Sequence, residues 1–463
     1  MIRTFALASR RRSILSALTA AAIAVGCGSC SKDATTATTA SGINKVNHII
    51  VVYMENHSFD NLYGEYPGAN GIANATAATK TQIDTATGQP YTNLPPPPAD
   101  SSTKLFPKPI PGNGPFNIDT YATENVKTAD LVHRYYQEQM QIDGGKMDKF
   151  AAVSDAKGLS MGYYHTASLP MYPIVQQYTL CDNFFHSAFG GSYLNHMYMI
   201  SAAAPIFSGA TTGVAQVDAN GKLIKDGAIT PDGYVVNTSF SVNSPHPASA
   251  NPAALVPNQT MPTIGDRLSE KNISWAWYSG KWSTITGGTA THADSSLFQF
   301  HHQPFAYFAN YKDGTAARTA HLKDETDFMT ALSNGTLPAV SFLKPYGNDN
   351  EHPGYTDLMT GETYLVNLVN KIKSSPIWND CVVVITYDEH GGFWDHVAPP
   401  VIDKWGPGIR VPGIIISPFS KQGVDHTQYE TLSILAFIEK RYGLSPLGTR
   451  DAAANPFSGA FNF

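Results

Sequence analysis

The stretch Ile49-Ile50-Val51-Val52-Tyr53-Met54 leads straight into Glu55-Asn56-His57-Ser58-Phe59-Asp60. A β-branched run without polar alternation reads as a strand buried on both faces, as in a parallel sheet covered by helices. A second such run, Val382-Val383-Val384-Ile385-Thr386-Tyr387, lies far downstream and leads into Asp388-Glu389-His390-Gly391-Gly392. In α/β sheets ligands gather outside the carboxyl ends of the strands. Glu55, Asn56, Asp388 and Glu389 are therefore expected at one point of the sheet edge, although they come from opposite parts of the chain. Three carboxylates brought together repel one another unless a cation lies among them. The expectation is a metal site built from two distant strand ends.

Working outward, further strands are read at Ile273–Tyr278, Ala339–Leu343 and Val411–Ser417. Pro412 lies near the start of the last, where a missing donor is tolerated. Helices are read over Ala129–Gln137, Leu169–Tyr178, Met197–Ile200, Gly361–Lys373 and Thr431–Tyr442. Strand and helix in alternation imply an α/β fold, a mainly parallel central sheet flanked by helices. The Pro-rich stretch 71–118 and the Gly, Asn, Ser and Pro-rich stretch 204–262 read as long loop insertions at the rim of the site. The boundaries follow: an export signal over 1–30, a flexible tether over 31–45, and one folded unit over 46–463.

The signal is read from Arg10-Arg11-Arg12 followed by a short apolar run up to Cys27, too short to span a bilayer as a mature helix. The Arg11-Arg12 pair fits a twin-arginine signal. Ala24-Val25-Gly26-Cys27 fits a lipoprotein cleavage box, which makes Cys27 a candidate membrane tether; plain cleavage nearby is the alternative. The expected location is periplasmic, secreted or lipid-anchored. In the body, Cys181 and Cys381 sit in apolar contexts and read as two buried thiols, with a disulfide as the alternative. Charged residues make up 15% of the 463 residues and net charge is -6, with no Lys/Arg run in the body, so nucleic-acid binding is not expected.

Hard oxygen ligands suit a substrate that gains from charge neutralisation, and phosphoryl groups fit best. The candidate nucleophile is Ser192, after Gly190-Gly191 and ahead of a helix, where backbone N–H groups face an anion. A Gly-Gly-Ser turn alone commonly does no more than reverse the chain. The doublet His301-His302, His352 after Glu351, and His133 on its expected helix are candidates for holding phosphate oxygens and protonating a leaving group. As imidazolium groups they would set an activity maximum on the acidic side of neutral. His390 and His396 flank the acidic pair.

Taken together, Glu55-Asn56-His57-Ser58-Phe59-Asp60, Gly145-Lys146-Met147-Asp148, Gly162-Tyr163-Tyr164, Asp182-Asn183-Phe184-Phe185, Gly190-Gly191-Ser192-Tyr193-Leu194-Asn195, Asp388–Val397 and Arg410-Val411-Pro412 resemble a bacterial phosphoesterase family. That family contains acid phosphatases and phosphatidylcholine-type phospholipases C. The resemblance covers roughly residues 46 to 463. It implies an alkaline-phosphatase-like fold. It also implies metal ligation by Glu55, Asn56, Ser192, Asp388 and Glu389, phosphate contacts from His133, His301, His302 and His352, and Ser192 as nucleophile. Phospholipase members usually carry Thr at that position and append β-rich C-terminal domains. Ser192, and the chain ending soon after Leu444, point to the phosphatase branch. Leu194-Asn195-His196 departs from the family's Pro-Asn-Arg, which bears on how a leaving group is held.

The reading is an exported acid phosphatase hydrolysing phosphomonoesters through a phosphoserine on Ser192. It uses one divalent ion, with Mg²⁺, Ca²⁺, Mn²⁺ and Zn²⁺ all compatible. The alternatives are a phospholipase C acting on phospholipid, and a non-catalytic metal- or glycan-binding surface lipoprotein. The intact nucleophile and ligand set speak against the last.

Overall fold

The computed structural model describes residues 42–98 and 105–463. The expected signal, the tether up to residue 41 and residues 99–104 of the first insertion lie outside the described residues. Among the described residues no helix is long and apolar enough to cross a membrane.

Eight strands form one sheet: β1 (His48–Met54), β2 (Thr179–Cys181), β3 (Trp275–Ser279), β4 (Leu322–Asp324), β5 (Val340–Lys344), β6 (Cys381–Tyr387), β7 (Gly413–Ile416) and β8 (Gly423–Asp425). Their order is β4-β3-β5-β1-β6-β7-β2-β8. All pairings are parallel except those of β7, which runs antiparallel to both β6 and β2. The fold is therefore α/β with a mainly parallel sheet. β1 and β6 occupy the middle, and every residue of β6 is buried, as a run without a polar face requires.

Register decides what meets at the edge. Met54 pairs with Tyr387 and Val52 with Leu343. The next residues along, Glu55, Asp388 and Lys344, thus emerge at neighbouring places. The amide of Asp388 donates to Met54 O (3.1 Å) and that of Glu55 to Asn350 O (2.9 Å), which extends the alignment past the strands.

Helices enter and leave the sheet where the caps direct. α1 (Phe59–Tyr63) is started by Ser58, whose hydroxyl accepts from Asn61 N. α2 spans Tyr135–Ile142, α3 Ser192–Ser201, α4 Ile264–Glu270 and α5 Glu325–Asn334. α6 (Leu358–Lys373) is capped by Asp357 and buries Leu358, Leu365, Leu368, Val369 and Ile372 along one stripe. α7 spans Thr431–Tyr442.

Two expected helices are shorter than the sequence suggests. The helix over 129–137 begins only at Tyr135. Ahead of it, Val132 N donates to the Asp155 carboxylate (2.8 Å), and Tyr135 N donates to the Asn237 amide oxygen (3.1 Å). Side chains from elsewhere hold these N–H groups in a non-helical approach, and His133 lies on a loop rather than a helix. Over 169–178 only Tyr172–Val175 is α-helical, around Pro173. Cys181 and Cys381 are both buried with free thiols.

Two buried carboxyls give a stability prediction. Glu351 accepts from the Tyr387 hydroxyl (2.5 Å) and Glu362, on α6, accepts from Met171 N (2.7 Å). Burial, and for Glu351 the neighbouring Glu362, pushes both up, Glu362 to about 7. The folded state holds the proton where the unfolded chain has released it. Stability contributed by the neutral form is full below about pH 4.5 and is lost as pH rises through about 7. Glu362→Gln keeps an acceptor for Met171 N and removes the titration. Its melting temperature relative to wild type is expected to be higher at pH 8 than at pH 5. An equal difference at the two pH values would remove this account.

Candidate active site

A cavity of about 360 Å³ opens at the carboxyl ends of the central strands, and Glu55, His133, Ser192, Tyr193, His301, His352 and Tyr355 line it. Asn56, Asp388, Glu389, His302 and Lys344 lie buried around its floor.

Glu389 reaches Asn56 because the chain doubles back at Gly391 (φ +64°), where a Cβ would lie 1.9 Å from Asn56 O. No side chain fits there. The Asn56 amide donates to Glu389 Oε1 (2.7 Å), and the Ser192 hydroxyl donates to the same oxygen at 3.4 Å. Ser192 is the first residue of α3, and the turn before it packs on the loop carrying His133. A Cβ on Gly190 (φ +93°) would lie 2.6 Å from Tyr135 N. The same contact brings His133 Nε2 to 3.8 Å from Glu389 Oε1. His352 donates from Nδ1 to Pro353 O (2.6 Å), stacks on Tyr355 with centroids 4.0 Å apart, and has its ring 5.6 Å from that of His133.

His302 Nε2 is 2.6 Å from Glu55 Oε1, and the rings of His301 and His302 are 5.0 Å apart. His301 has no hydrogen-bond partner on either nitrogen. All residues singled out in the sequence for catalysis or metal ligation therefore converge on one place.

The sequence reading missed Lys344. It is fully buried at the end of β5, with Nζ 2.8 Å from Glu55 Oε1 and 3.8 Å from Asp388 Oδ2. A lysine at a strand end ordinarily reaches solvent, so only the β1–β5 register could have revealed it. His196 was also missed as a neighbour. It stacks on His302 at 5.4 Å and donates from Nδ1 to Ser192 O (2.7 Å), so the residue standing in place of the family's Arg is part of the floor, not the rim.

Charge is distributed differently from the sequence expectation. Burial pushes Glu55 up, but His302 and Lys344 outweigh it and hold the carboxyl well below its usual range. Asp388 goes the other way: burial, with Glu55 and Glu389 beside it, drives it well above the usual range in spite of Lys344. Glu55 and Asp388 thus share one lysine, and the two carboxyls are pushed in opposite directions. Burial also lowers His301, helped by His302 and Lys344, and it lowers His302, helped by Lys344 against the pull of Glu55. The expected histidinium doublet is not what this environment favours. In His133 burial is overcome by Glu389 and Asp130, which raise it to about 9.

The donor set suits a hard or borderline divalent ion. Asn56 Oδ1 and Asp388 Oδ2 are buried without a hydrogen-bond partner, as ligand atoms would be before an ion takes them up. Glu55, His196 and His301 also place ligand atoms within 4.8 Å of one another, as do Asp130, His133 and His352.

Two further motif residues, Arg410 and His396, join a buried ion-pair network. Arg410, fully buried, binds Asp395 (2.9 Å) and Asp60 (3.2 Å), and His396 binds Asp60 (2.6 Å). This network ties the loop after β6 to α1.

The family model described as the Phosphoesterase family matches residues 46–445, and the chain belongs to that family. Hemolytic phospholipase C of Pseudomonas aeruginosa is 25% identical over 443 residues, covering 87% of this chain and 53% of that protein. Phospholipase C B of Mycobacterium tuberculosis is 24% identical over 470 residues, covering 91% of this chain and 78% of that protein. The chain spans little more than half the length of the Pseudomonas relatives. Among solved structures, a protein of the alkaline phosphatase superfamily from Vibrio parahaemolyticus aligns over 72% of this chain and 71% of its own, at 9% identity and a TM-score of 0.35.

Proposed function

We propose that the protein is a metal-dependent phosphomonoesterase of the acid phosphatase branch, acting through a phosphoserine on Ser192. The observation that carries this reading is the meeting of a helix-start serine, Glu389 within reach of its hydroxyl, and the unpartnered nitrogens of His301 on one polar cavity. A divalent ion held by Glu55, Asn56, Asp388, Glu389 and Ser192 would supply Lewis-acid stabilisation of negative charge.

The chain's own groups then act as follows. Ser192 Oγ forms the bond to phosphorus and gives up its proton towards Glu389. The P–O bond to the alcohol breaks, and His352, with Nδ1 fixed on Pro353 O, returns a proton from Nε2 to the leaving oxygen. Backbone N–H groups at the start of α3 and the His133 cation face the phosphoryl oxygens. Water attacks phosphorus next and gives a proton back to His352 Nε2, while the bond from phosphorus to Ser192 Oγ breaks and Glu389 returns its proton to that oxygen.

Hydrolysis of a phospholipid diester is the second reading, favoured by the phospholipase names of the relatives. A phosphomonoester and phosphatidylcholine assayed side by side separate the two: free phosphate from the monoester supports the first, phosphocholine from the lipid the second. Export is supported by the Arg-rich N-terminus and its apolar run, with Cys27 a candidate lipid tether, plain cleavage nearby the alternative, and 46–463 as one catalytic domain.

Two outcomes are expected. Exhaustive chelation abolishes turnover and a divalent ion restores it; full activity without metal would remove the metal from the reading. The rate holds through neutral pH and falls as His133 loses its proton near pH 9, because that group is the raised histidine of the site. His133→Asn should remove this alkaline limb. A limb near the ordinary histidine value of about 6.5 would assign it to another imidazole.

A further inference from the structure

Behind the turn that precedes Ser192 lies a second group of ligand-type side chains that the proposed reaction does not use. Glu138 comes from α2, His186 from the segment after Phe184-Phe185, and His390 from the loop after β6. All three are fully buried. His186 donates from Nδ1 to Ala188 O (2.8 Å) and His390 donates from Nδ1 to Phe393 O (3.1 Å). Each ring thus has its Nδ1 proton fixed by a backbone carbonyl, which leaves Nε2 as the lone-pair nitrogen, the arrangement that orients metal-binding histidines.

Both Nε2 atoms face the same carboxylate oxygen. His186 Nε2 is 3.0 Å and His390 Nε2 3.9 Å from Glu138 Oε1, and the rings lie nearly parallel, 12° apart. The three ligand atoms are within 4.8 Å of one another. His390 Nε2 has no hydrogen-bond partner despite full burial, and His186 Nε2, though 3.0 Å from Glu138, is not aligned with it as a hydrogen bond. An ordinary histidine–glutamate ion pair would direct an N–H at the carboxylate. A buried nitrogen with nothing to accept from or donate to is costly.

We propose that Glu138, His186 and His390 form a second metal site, for a borderline divalent ion such as Zn²⁺. Two imidazoles and one carboxylate are a nitrogen-rich set, unlike the oxygen-rich set at Ser192. Donors about 2.0–2.2 Å from one tetrahedral ion lie about 3.3–3.6 Å from one another; the spacings of 3.0 and 3.9 Å fall either side of that, so small shifts close the site. Glu138 also accepts from Gly190 N and from Ile409 N (2.9 Å). An ion held there would fix Glu138, and through Gly190 the turn that presents Ser192. The role is that of positioning rather than catalysis, and it does not depend on which phosphoester is cleaved.

The test separates the two sites. The full chain is stripped with chelator and loaded with Zn²⁺ alone, as wild type and as the Asp388→Asn/Glu389→Gln variant, which disables the oxygen-rich site. The variant is expected to retain one zinc, and His186→Gln added to it to weaken that binding at least about 10-fold. Anomalous diffraction at the zinc edge on crystals of the wild-type chain reads the site without any substitution, so a misfolded His186→Gln leaves the test intact. A peak within bonding distance of Glu138, His186 and His390 supports the proposal. No peak there, or zinc retention indifferent to His186→Gln in a folded variant, overturns it.

Discussion

Ser192→Ala is expected to lower kcat on a phosphomonoester by about 10⁴-fold or more, the scale seen when a covalent nucleophile is removed. The fold should not change. Ser192 Oγ makes one long contact, 3.4 Å to Glu389, and no cap or core contact rests on it. Alanine preserves the start of α3, and the Gly190-Gly191 turn is untouched. Melting temperature therefore should stay near wild type while turnover disappears. A covalent readout sharpens the result: brief reaction and acid quench of the wild type should leave phosphate on the peptide containing Ser192, and none on the variant. Near-wild-type turnover in the alanine variant would reduce Ser192 to a turn residue and leave the cavity without its nucleophile.

The residues proposed for this chemistry come together at one sheet edge, and their meeting was legible in the sequence for a simple reason. β1 and β6 are buried on both faces, so their runs are apolar throughout and stop where the site begins. Parallel pairing in register then delivers Glu55 and Asp388 to the same level. The turn at Gly190-Gly191 and α7 follow from similarly local signals. What failed was non-local. The apolar and charged pattern of 129–137 resembles a helix, but Asp155 and Asn237, distant in sequence, take its N–H groups. The reversed direction of β7 leaves no trace in a strand as apolar as its parallel neighbours. His301 and His302 read as cations from their type alone, and burial beside Lys344 pushes both below the ordinary histidine value. Glu138 lay just past the expected helix 129–137, with nothing to mark it as fully buried.

Lys344 is the sharpest case, and its removal should have the largest structural effect. Three carboxylates meet at the sheet edge, and the sequence argument demanded a cation among them. One such cation belongs to the chain itself: the Lys344 ammonium, 2.8 Å from Glu55 and 5.5 Å from the centre of the Tyr53 ring, with no exposure to solvent. Lys344→Met has nearly the same length and no charge. It leaves Glu55 with only the His302 ring at 2.6 Å and Asp388 without its ammonium neighbour. Breaking a buried charge pair from one side typically costs about 3–5 kcal/mol, because the remaining charge keeps its desolvation penalty. Protonation of the stranded carboxyls limits that cost, so the loss should be smaller at pH 5 than at pH 8. A divalent ion bound among Asn56, Asp388 and Glu389 favours the folded state by mass action. Added metal should accordingly recover more stability in Lys344→Met than in wild type, where the ammonium already offsets part of the negative charge. The measurement is the melting temperature of both proteins, with and without metal, at the two pH values. Equal melting of the two proteins would show that Lys344 is not the compensating charge. A deficit that metal leaves unchanged would show that the ion and the ammonium do not act on the same carboxylates.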